Sequence, residues 1–318
     1  MKSQPTTRFP GRSIFETIQA DNYEGLGGII QAPGQDFFVS SNRGHNNKSG
    51  LSWAQPKAEI QAAMELAAIA RYKGRGLCRV FVESGGYTGP ILTPTNADCP
   101  FGALIGVNNN GEGNGPWLQA LTAGGTILTV RARGWIVSGF EFDLPTTGKG
   151  IDLDGKTAAM SAQYTKIRKC LFNGAKNATY GIDFRGGSTF VVIEDNIFYD
   201  IYNAGGLAQA IACTDSSTDV PQWVKVLGNW FANNDKHLSL NGLRGFKNGQ
   251  IKENTFVKTG NIKTATVLVD LTGGSNNVVA ENFSDHDWSI NTTEMKAGTN
   301  DMWGPNHCPA GVKYGNPA

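Results

Sequence analysis

Carboxylates around residue 200 are the side chains whose type and spacing most directly suggest chemistry. Two carboxyl groups on either side of a sugar ring can act as acid and base in glycoside cleavage. Acidic residues at strand edges and turns are ordinarily solvated, and this interpretation is the favoured one here. The candidate residues are Glu194, Asp195, Asp200, Asp215 and Asp219.

Two short acidic motifs could hold a cation, but neither is a complete ligand loop. They are Asp152-x-Asp154-Gly155 and Asp285-His286-Asp287, and an ordinary Asx-turn is the favoured interpretation of each. The four histidines are scattered, and the five cysteines include no C-x-x-C pair. The sequence also lacks a nucleophile elbow and a dinucleotide-binding glycine motif. It therefore predicts reduced cysteines, no metal site and no cofactor.

Composition narrows the classes of partner. The 318 residues include 28 basic and 27 acidic ones, for a formal net charge of +1, without a sustained charged run. This balance argues against a nucleic-acid or anionic-membrane partner. The sequence shows neither a membrane span nor a signal peptide. The 41 glycines and the low charged fraction of 17% suit turn-rich β structure better than a helix bundle.

The elements that would position these groups follow from a degenerate repeat. Six segments share a pattern of alternating residues, which is the period of a strand. They are Trp135 to Phe142, Thr165 to Phe172, Val191 to Phe198, Val224 to Phe231, Gly249 to Phe256, and Asn277 to Ser284. Aligned, they give one column with Asn196, Asn229, Asn254 and Asn282, and another with Phe142, Phe172, Phe198, Phe231 and Phe256.

The phenylalanines recur at intervals of 30, 26, 33 and 25 residues, which fits one strand-turn unit per repeat with insertions in the loops. We therefore predict an all-β, right-handed parallel β-helix with a stack of phenylalanine rings. Each asparagine is expected in a bend, with left-handed backbone angles and amide hydrogen bonds to the neighbouring coils. A β-sandwich or a propeller with aligned strands is the alternative.

The regions that flank the repeat differ from it. An Ala-rich segment, residues 56–73, has apolar residues at helical spacing and Pro56 in its first turn, which predicts a helix that caps the stack. Residues 1–36 are interpreted as an extended arm, 37–290 as the β-helix with its capping helix, and 291–318 as an irregular C-terminal cap.

The region from Phe37 to Ile91 resembles the start of proteins in the pectate-lyase-like superfamily of right-handed β-helices. The matching segments read FFVSSNRG, GLSWAQPKAEIQAAMELAA and CRVFVESGGYTGPI. An enzyme of this superfamily is expected to cleave polysaccharide, as a lyase or a glycoside hydrolase. The polygalacturonase-type motifs are incomplete: the chain has Asn233-Asn234-Asp235, but neither Asp-Asp nor Gly-His-Gly, and its Arg-x-Lys, residues 71–73, lies on the predicted helix.

Members of this superfamily with similar size and polarity are often bacteriophage virion proteins, both tailspikes and capsid decorations. The resemblance and the chain length favour a non-enzymatic capsid decoration or head knob, located on the virion surface after synthesis in the host cytoplasm. We expect it to form a homotrimer and to be anchored to the capsid by its arm, which includes Arg8 and Arg12. The alternative is a tailspike or fibre that binds or cleaves a host surface glycan.

Overall fold

The chain is a right-handed parallel β-solenoid with a single short helix in its described part, so the predicted fold class is confirmed. The computed structural model describes residues 34–72, 77–107, 115–155, 157, 160–174, 177–214, 220–240, 245–260, 264–286, 294–309, 311–313 and 315. The predicted arm, with Arg8 and Arg12, lies outside these residues except for its last three positions. No described helix has the length and apolarity needed to cross a bilayer.

Three sheets of ten, ten and eight strands form the sides of the solenoid. Sheet A contains β1 (Asp36–Val39), β2 (Cys78–Val82), β5 (Gly102–Gly106), β8 (Ile136–Ser138), β11 (Lys166–Arg168), β14 (Val192–Glu194), β17 (Lys225–Leu227), β20 (Gln250–Lys252), β23 (Val278–Ala280) and β26 (Met302–Trp303). Sheet B contains β3 (Gly85–Thr88), β6 (Pro116–Gln119), β9 (Glu141–Asp143), β12 (Leu171–Asn173), β15 (Ile197–Tyr199), β18 (Trp230–Ala232), β21 (Thr255–Phe256), β24 (Phe283–Ser284), β27 (Asn306–Cys308) and β28 (Gly311–Lys313). Sheet C contains β4 (Ile91–Leu92), β7 (Thr126–Val130), β10 (Lys149–Gly155), β13 (Tyr180–Gly186), β16 (Gln209–Cys213), β19 (Lys236–Ser239), β22 (Val267–Asp270) and β25 (Met295–Lys296).

Each full coil passes through sheets A, B and C in that order, and every strand pairs in parallel with its counterpart one coil away. The exception is the hairpin of β27 and β28, which is antiparallel. Because parallel strands lie about 4.8 Å apart, residues at equivalent positions form columns along the solenoid axis.

A stack of phenylalanines fills the core inside sheet B. Phe142, Phe172, Phe198, Phe231 and Phe256 are each fully buried. Successive ring centroids lie 4.8, 4.7, 4.8 and 5.1 Å apart, with nearly parallel planes. These contacts are offset stacks, which add to the free energy of apolar burial.

The asparagine column forms an amide ladder at the corner between sheets A and B. The backbone amide of Asn196 donates to Asn229 Oδ1 at 3.0 Å, and that of Asn229 donates to Asn254 Oδ1 at 2.9 Å. Each side-chain amide also donates to a carbonyl of the preceding coil, as Asn229 Nδ2 does to Ile193 O at 2.9 Å. The ladder satisfies buried backbone groups at a corner where the sheet hydrogen bonds end.

The left-handed residue at this corner is the one before the asparagine, contrary to the prediction. Positive φ angles occur at Asp195 (55°), Gly228 (62°), Glu253 (59°) and Glu281 (61°). The asparagines have ordinary backbone angles, because their side chains must point inward to reach the adjacent coils. The preceding residue therefore makes the bend, at a cost of about 1–2 kcal/mol for each residue other than glycine.

The capping helix α1 (Ile60–Tyr72) is shorter than the predicted segment. Lys57 forms a parallel bridge with Val39, so the chain is still extended where the sequence predicts the first helical turn. Asn46 Oδ1 accepts hydrogen bonds from the amides of Ala58 and Glu59, each at 3.2 Å. This side chain satisfies amide groups just ahead of the helix, which delays its start to Ile60.

The coils continue beyond residue 290, where the sequence predicts an irregular tail. Strands β25, β26 and β27 pair in parallel with β22, β23 and β24. Asn306 Oδ1 accepts a hydrogen bond from the Asn282 amide at 3.1 Å and so extends the ladder. Trp303 and Cys308 occupy the positions at which earlier coils have a β-branched residue and a phenylalanine. Because the residue types differ, the sequence pattern does not reveal this repeat.

We predict that Phe198→Ala lowers the free energy of unfolding by about 3–5 kcal/mol, because it leaves a cavity in the ring stack. Ile197→Ala is the matched control, since its side chain lies on the same strand but is 37% exposed and faces outward. Urea or thermal unfolding measures both variants. Equal losses for Phe198→Ala and Ile197→Ala would contradict the role of the stack.

Candidate functional site

The carboxylates predicted as catalytic candidates occupy separate positions. Glu194 ends β14 on sheet A and pairs with Lys166 Nζ at 2.7 Å. Asp195 makes the adjacent turn, and Asp200 follows β15 of sheet B, also with a positive φ. Asp215 and Asp219 lie outside the described residues. For the three described residues, the structure provides turn and ion-pair roles.

The two acidic motifs, for which the sequence favours an Asx-turn over a cation site, have different surroundings. Asp285 accepts hydrogen bonds from the backbone amides of Lys258 (2.6 Å) and Thr259 (3.0 Å), which is how an aspartate stabilises a neighbouring loop. Asp287 lies outside the described residues. No group of three or more metal-ligating side chains occurs in the described part of the chain. The first motif, at Asp152, belongs to a larger group of charged residues.

A charged group on the outer face of sheet C brings together residues from neighbouring coils, and we call it the sheet C cluster. In the register of β10 with β13, Lys149 lies opposite Tyr180, and Asp152 lies opposite Asp183. The side chains that define the cluster are those of Lys149, Asp152, Tyr180, Asp183, Arg185 and Thr214. The parallel pairing therefore places side chains that are far apart in sequence within contact distance.

Asp183 is fully buried and accepts hydrogen bonds from two residues. Lys149 Nζ lies 2.5 Å from its Oδ2. The Thr214 hydroxyl donates at 2.8 Å and the Thr214 backbone amide donates to Oδ1 at 3.2 Å. Such donors replace the hydration that a carboxylate loses on burial. Asp183 and Lys149 thus form a rigid ion pair at the centre of the cluster.

Asp152 has fewer described hydrogen-bond and ion-pair partners than Asp183. Only 5% of this residue is exposed, and its Oδ2 lies 3.2 Å from Arg185 Nη1. None of the described residues donates a hydrogen bond to its buried Oδ1. Burial raises the pKa of Asp152 to about 6, although Lys149 and Arg185 act in the opposite direction. The Asp152 carboxyl group therefore gains or loses its proton close to neutral pH.

Tyr180 and Arg185 form the more accessible part of the cluster. Lys149 Nζ lies 5.5 Å from the centroid of the Tyr180 ring, within the range of a cation–π contact. Burial and the nearby charge of Asp183 raise the pKa of Tyr180, so its hydroxyl stays protonated. The Arg185 side chain is 32% exposed and can contact a ligand on the surface.

This arrangement can both bind an anion and transfer protons. Arg185 supplies the accessible cationic donor, and a guanidinium suits a carboxylate in particular, whereas Lys149 is paired with Asp183. Asp152 is a candidate acid or base because its pKa lies close to neutral pH, and Tyr180 is a candidate proton donor. A buried carboxylate with an unsatisfied oxygen and a raised pKa is the feature that distinguishes this face as a candidate site.

A sequence signal for the cluster exists, although our sequence analysis missed it. Residues 150–155 read GIDLDG and residues 181–186 read GIDFRG. The two Gly-Ile-Asp repeats place Asp152 and Asp183 at equivalent positions, which predicts that they are neighbours in a parallel β-helix. The partners Lys149, Arg185 and Thr214 could not be assigned in this way, since their contacts depend on register and on side-chain length.

Comparisons with known proteins identify the fold but no family for the whole chain. The SecD/SecF GG Motif family matches only residues 179–192. No curated protein matches the chain.

Among solved structures, an alginate lyase from Paenibacillus sp. str. FPU-7 is similar with a TM-score of 0.53 and 17% identity, over 73% of this chain and 80% of that one. A rhamnogalacturonan lyase gives 0.52 and 14%, over 86% and 67%. The ORF18 protein of Geobacillus virus E2 aligns over 96% and 66% with 11% identity, but its TM-score is only 0.39. At these identities the similarity to the two lyases establishes a shared fold alone.

We predict that the stability of the Asp152→Asn variant increases relative to that of the wild type as pH rises from 4 to 7. Because the pKa of Asp152 is raised to about 6, the folded chain binds this proton more tightly than the unfolded chain does, and deprotonation lowers wild-type stability. The variant has no such proton to lose. The change in the difference of unfolding free energy is on the order of 2 kcal/mol.

Calorimetry at pH 4, 5, 6 and 7 measures this difference, with exposed Asp98→Asn as the control. A difference between Asp152→Asn and the wild type that does not vary with pH would refute the raised pKa.

Proposed function

We propose that this chain binds an acidic polysaccharide across the outer face of sheet C. The observation that carries the proposal is the sheet C cluster, in which the partly exposed Arg185 pairs with the buried carboxylate of Asp152 near the charge of Lys149. The two lyases with TM-scores above 0.5 support this direction, since alginate and rhamnogalacturonan both contain uronate sugars. A uronate carboxylate is the kind of anion that a partly exposed arginine recognises.

The same cluster has groups suited to β-elimination of a bound uronate. In that reaction a base takes the proton from C5, the C4–O bond breaks, and a C4=C5 double bond forms while the leaving oxygen receives a proton. Tyr180 is the candidate donor to the leaving oxygen, because burial keeps its hydroxyl protonated. Asp152 is the candidate base, and it becomes available when Arg185 leaves its Oδ2 for the uronate carboxylate. Arg185 is positioned to neutralise the uronate carboxylate, which lowers the barrier to removal of the C5 proton.

A binding experiment tests the proposal. Native gels that contain alginate or polygalacturonate should retard the wild-type chain, whereas gels with uncharged dextran should not. Arg185→Gln should weaken retardation by roughly tenfold, the effect of losing one charge-assisted contact. Lys48→Gln, in the loop before the capping helix, is the matched control and should behave as the wild type.

Products of the same incubations separate cleavage from binding. Ultraviolet-absorbing unsaturated ends indicate elimination, whereas reducing ends without that absorbance indicate hydrolysis. If neither acidic polymer retards the wild-type chain, the proposal fails.

A second candidate function is that of a non-enzymatic, rod-like protein on a bacteriophage virion, anchored by residues 1–36 and associated with copies of itself. The observation that favours it is a set of exposed apolar residues on the outer face of sheet B. Trp117, Ile197, Trp230 and Phe283 lie in one column and are 39%, 37%, 38% and 50% exposed. Glu141 and Thr255 lie in the same column, between these residues. Exposed apolar surface of this kind suits side-by-side packing of identical rods, for example in a trimer.

We predict that Trp230→Lys shifts the chain toward the monomer in light scattering coupled to size exclusion, because a charge would be buried between copies. Leu207→Lys is the control, since Leu207 is 61% exposed in a loop away from the sheet B face. A wild-type chain that is monomeric at all concentrations would contradict this second candidate.

Deletion of residues 1–33 tests the anchor, because particle association should be lost while the solenoid stays folded.

A further inference from the structure

One residue in each coil marks the turn that leads from sheet C to sheet A. Its amide donates to a carbonyl of the next coil in the same way each time, as Tyr164 N does to Thr189 O and Phe190 N does to Gln222 O. The coil-to-coil hydrogen bonds fix the backbone here, and the column begins with Phe101 (φ 61°) and Gly134 (φ 71°). The six residues that follow have φ between 55° and 58°, and we call them the turn track: Tyr164, Phe190, Trp223, Asn248, Asn276 and Asn300.

The aromatic residues of the track are unsuited to their backbone conformation. Left-handed angles favour glycine and asparagine, and a bulky side chain there is an outlier. The coils next to the aromatic residues obey this rule, with Gly134 before them and Asn248 after them. Phe101, one coil before Gly134, is a further exception, but it is partly buried and its ring centroid lies 5.5 Å from Arg133 Cζ. Three successive coils instead carry Tyr164, Phe190 and Trp223. Folding alone would be served better by asparagine at all three positions.

These three side chains are also exposed. Their exposed fractions are 51% for Tyr164, 43% for Phe190 and 51% for Trp223. The rings stack on one another, with centroids 4.9 Å apart for Tyr164 and Phe190 and 6.4 Å apart for Phe190 and Trp223, and with planes within 6° of parallel. The described ring contacts of the stack end at Trp223, because the next residue of the track is Asn248. Ordered, exposed aromatic surface of this kind marks a binding site.

Cationic groups lie beside the track on the outer face of sheet A. Lys225 follows Trp223 by two residues, begins β17 and is exposed. Lys166 follows Tyr164 by two residues and pairs with Glu194 at 2.7 Å. The track therefore combines apolar rings, side-chain amides and nearby positive charge along one line parallel to the solenoid axis.

We propose that the turn track is a second binding site for an acidic polysaccharide, distinct from the sheet C cluster and lying along the solenoid axis. The C–H faces of the sugar rings pack on Trp223 and its stacked neighbours, Asn248 and Asn276 exchange hydrogen bonds with hydroxyls, and Lys225 attracts a uronate carboxylate. The inference rests on the proposed function of polysaccharide binding. A second copy of the chain is a poorer occupant, because half of the track is made of amides with little apolar surface to bury.

The test replaces the three aromatic residues with the residue that the column already uses, in the triple variant Tyr164→Asn, Phe190→Asn and Trp223→Asn. We expect its melting temperature to equal or exceed that of the wild type, because asparagine fits the left-handed angles. Retardation in alginate or polygalacturonate gels should weaken by roughly tenfold or more, the effect of losing aromatic burial. The control Leu51→Asn removes an exposed apolar side chain (49%) from the loop before the capping helix and should bind as the wild type does.

Several results would overturn the inference. Unchanged retardation of the triple variant, while Arg185→Gln weakens it, removes the track but leaves the sheet C proposal intact. A lower melting temperature with unchanged binding would make the stack structural, and a changed oligomeric state in size exclusion would assign it to a second copy. If the wild-type chain binds neither polymer, both proposals fail. If the triple variant does not fold, the single variant Trp223→Asn tests the turn track by the same gel and melting measurements.

Discussion

The hydrogen bonds between parallel strands of successive coils are the constraint on which the rest of this structure depends. They hold equivalent residues in register along three sheets and repeat the backbone geometry at each coil. Any residue type that recurs in the sequence therefore forms a column in space. Inside the solenoid this rule produces the phenylalanine stack and the asparagine ladder, which together fill the core and satisfy the buried corner.

The same constraint gives each outer face a distinct chemical character. Sheet A carries lysines at several positions, including Lys166 and Lys225. Sheet B presents exposed apolar residues, among them Trp230, and sheet C presents the buried ion pair of Asp183 and Lys149. Because a solenoid has a small circumference and a long axis, its faces can serve different partners. Binding a polysaccharide on sheet C and packing against copies through sheet B are compatible in one molecule.

Two features lower the stability of the folded chain, and the geometry of the coil requires neither of them. Asp152 is buried with an oxygen that lacks a described donor, and the rings of the turn track occupy left-handed positions that suit asparagine. Both lie on or beside sheet C, on successive coils. A fold stabilised by a continuous ring stack and amide ladder tolerates such local costs, and residues of this kind tend to occur at binding sites.

The sequence by itself determined the parallel β-helix, its phenylalanine and asparagine columns and the presence of a capping helix, because these follow from local periodicity and repeated residue types. It also contained the two Gly-Ile-Asp repeats that align Asp152 with Asp183. Only the tertiary structure decided that the left-handed residue precedes each asparagine, that the coils extend to Asn306, and that Lys149 reaches Asp183. The reason is that repeat intervals vary with loop length, so the register between coils, and with it every contact between sequence-distant side chains, is fixed only when strands pair. Burial, which sets the pKa of Asp152, is likewise a property of the assembled coils.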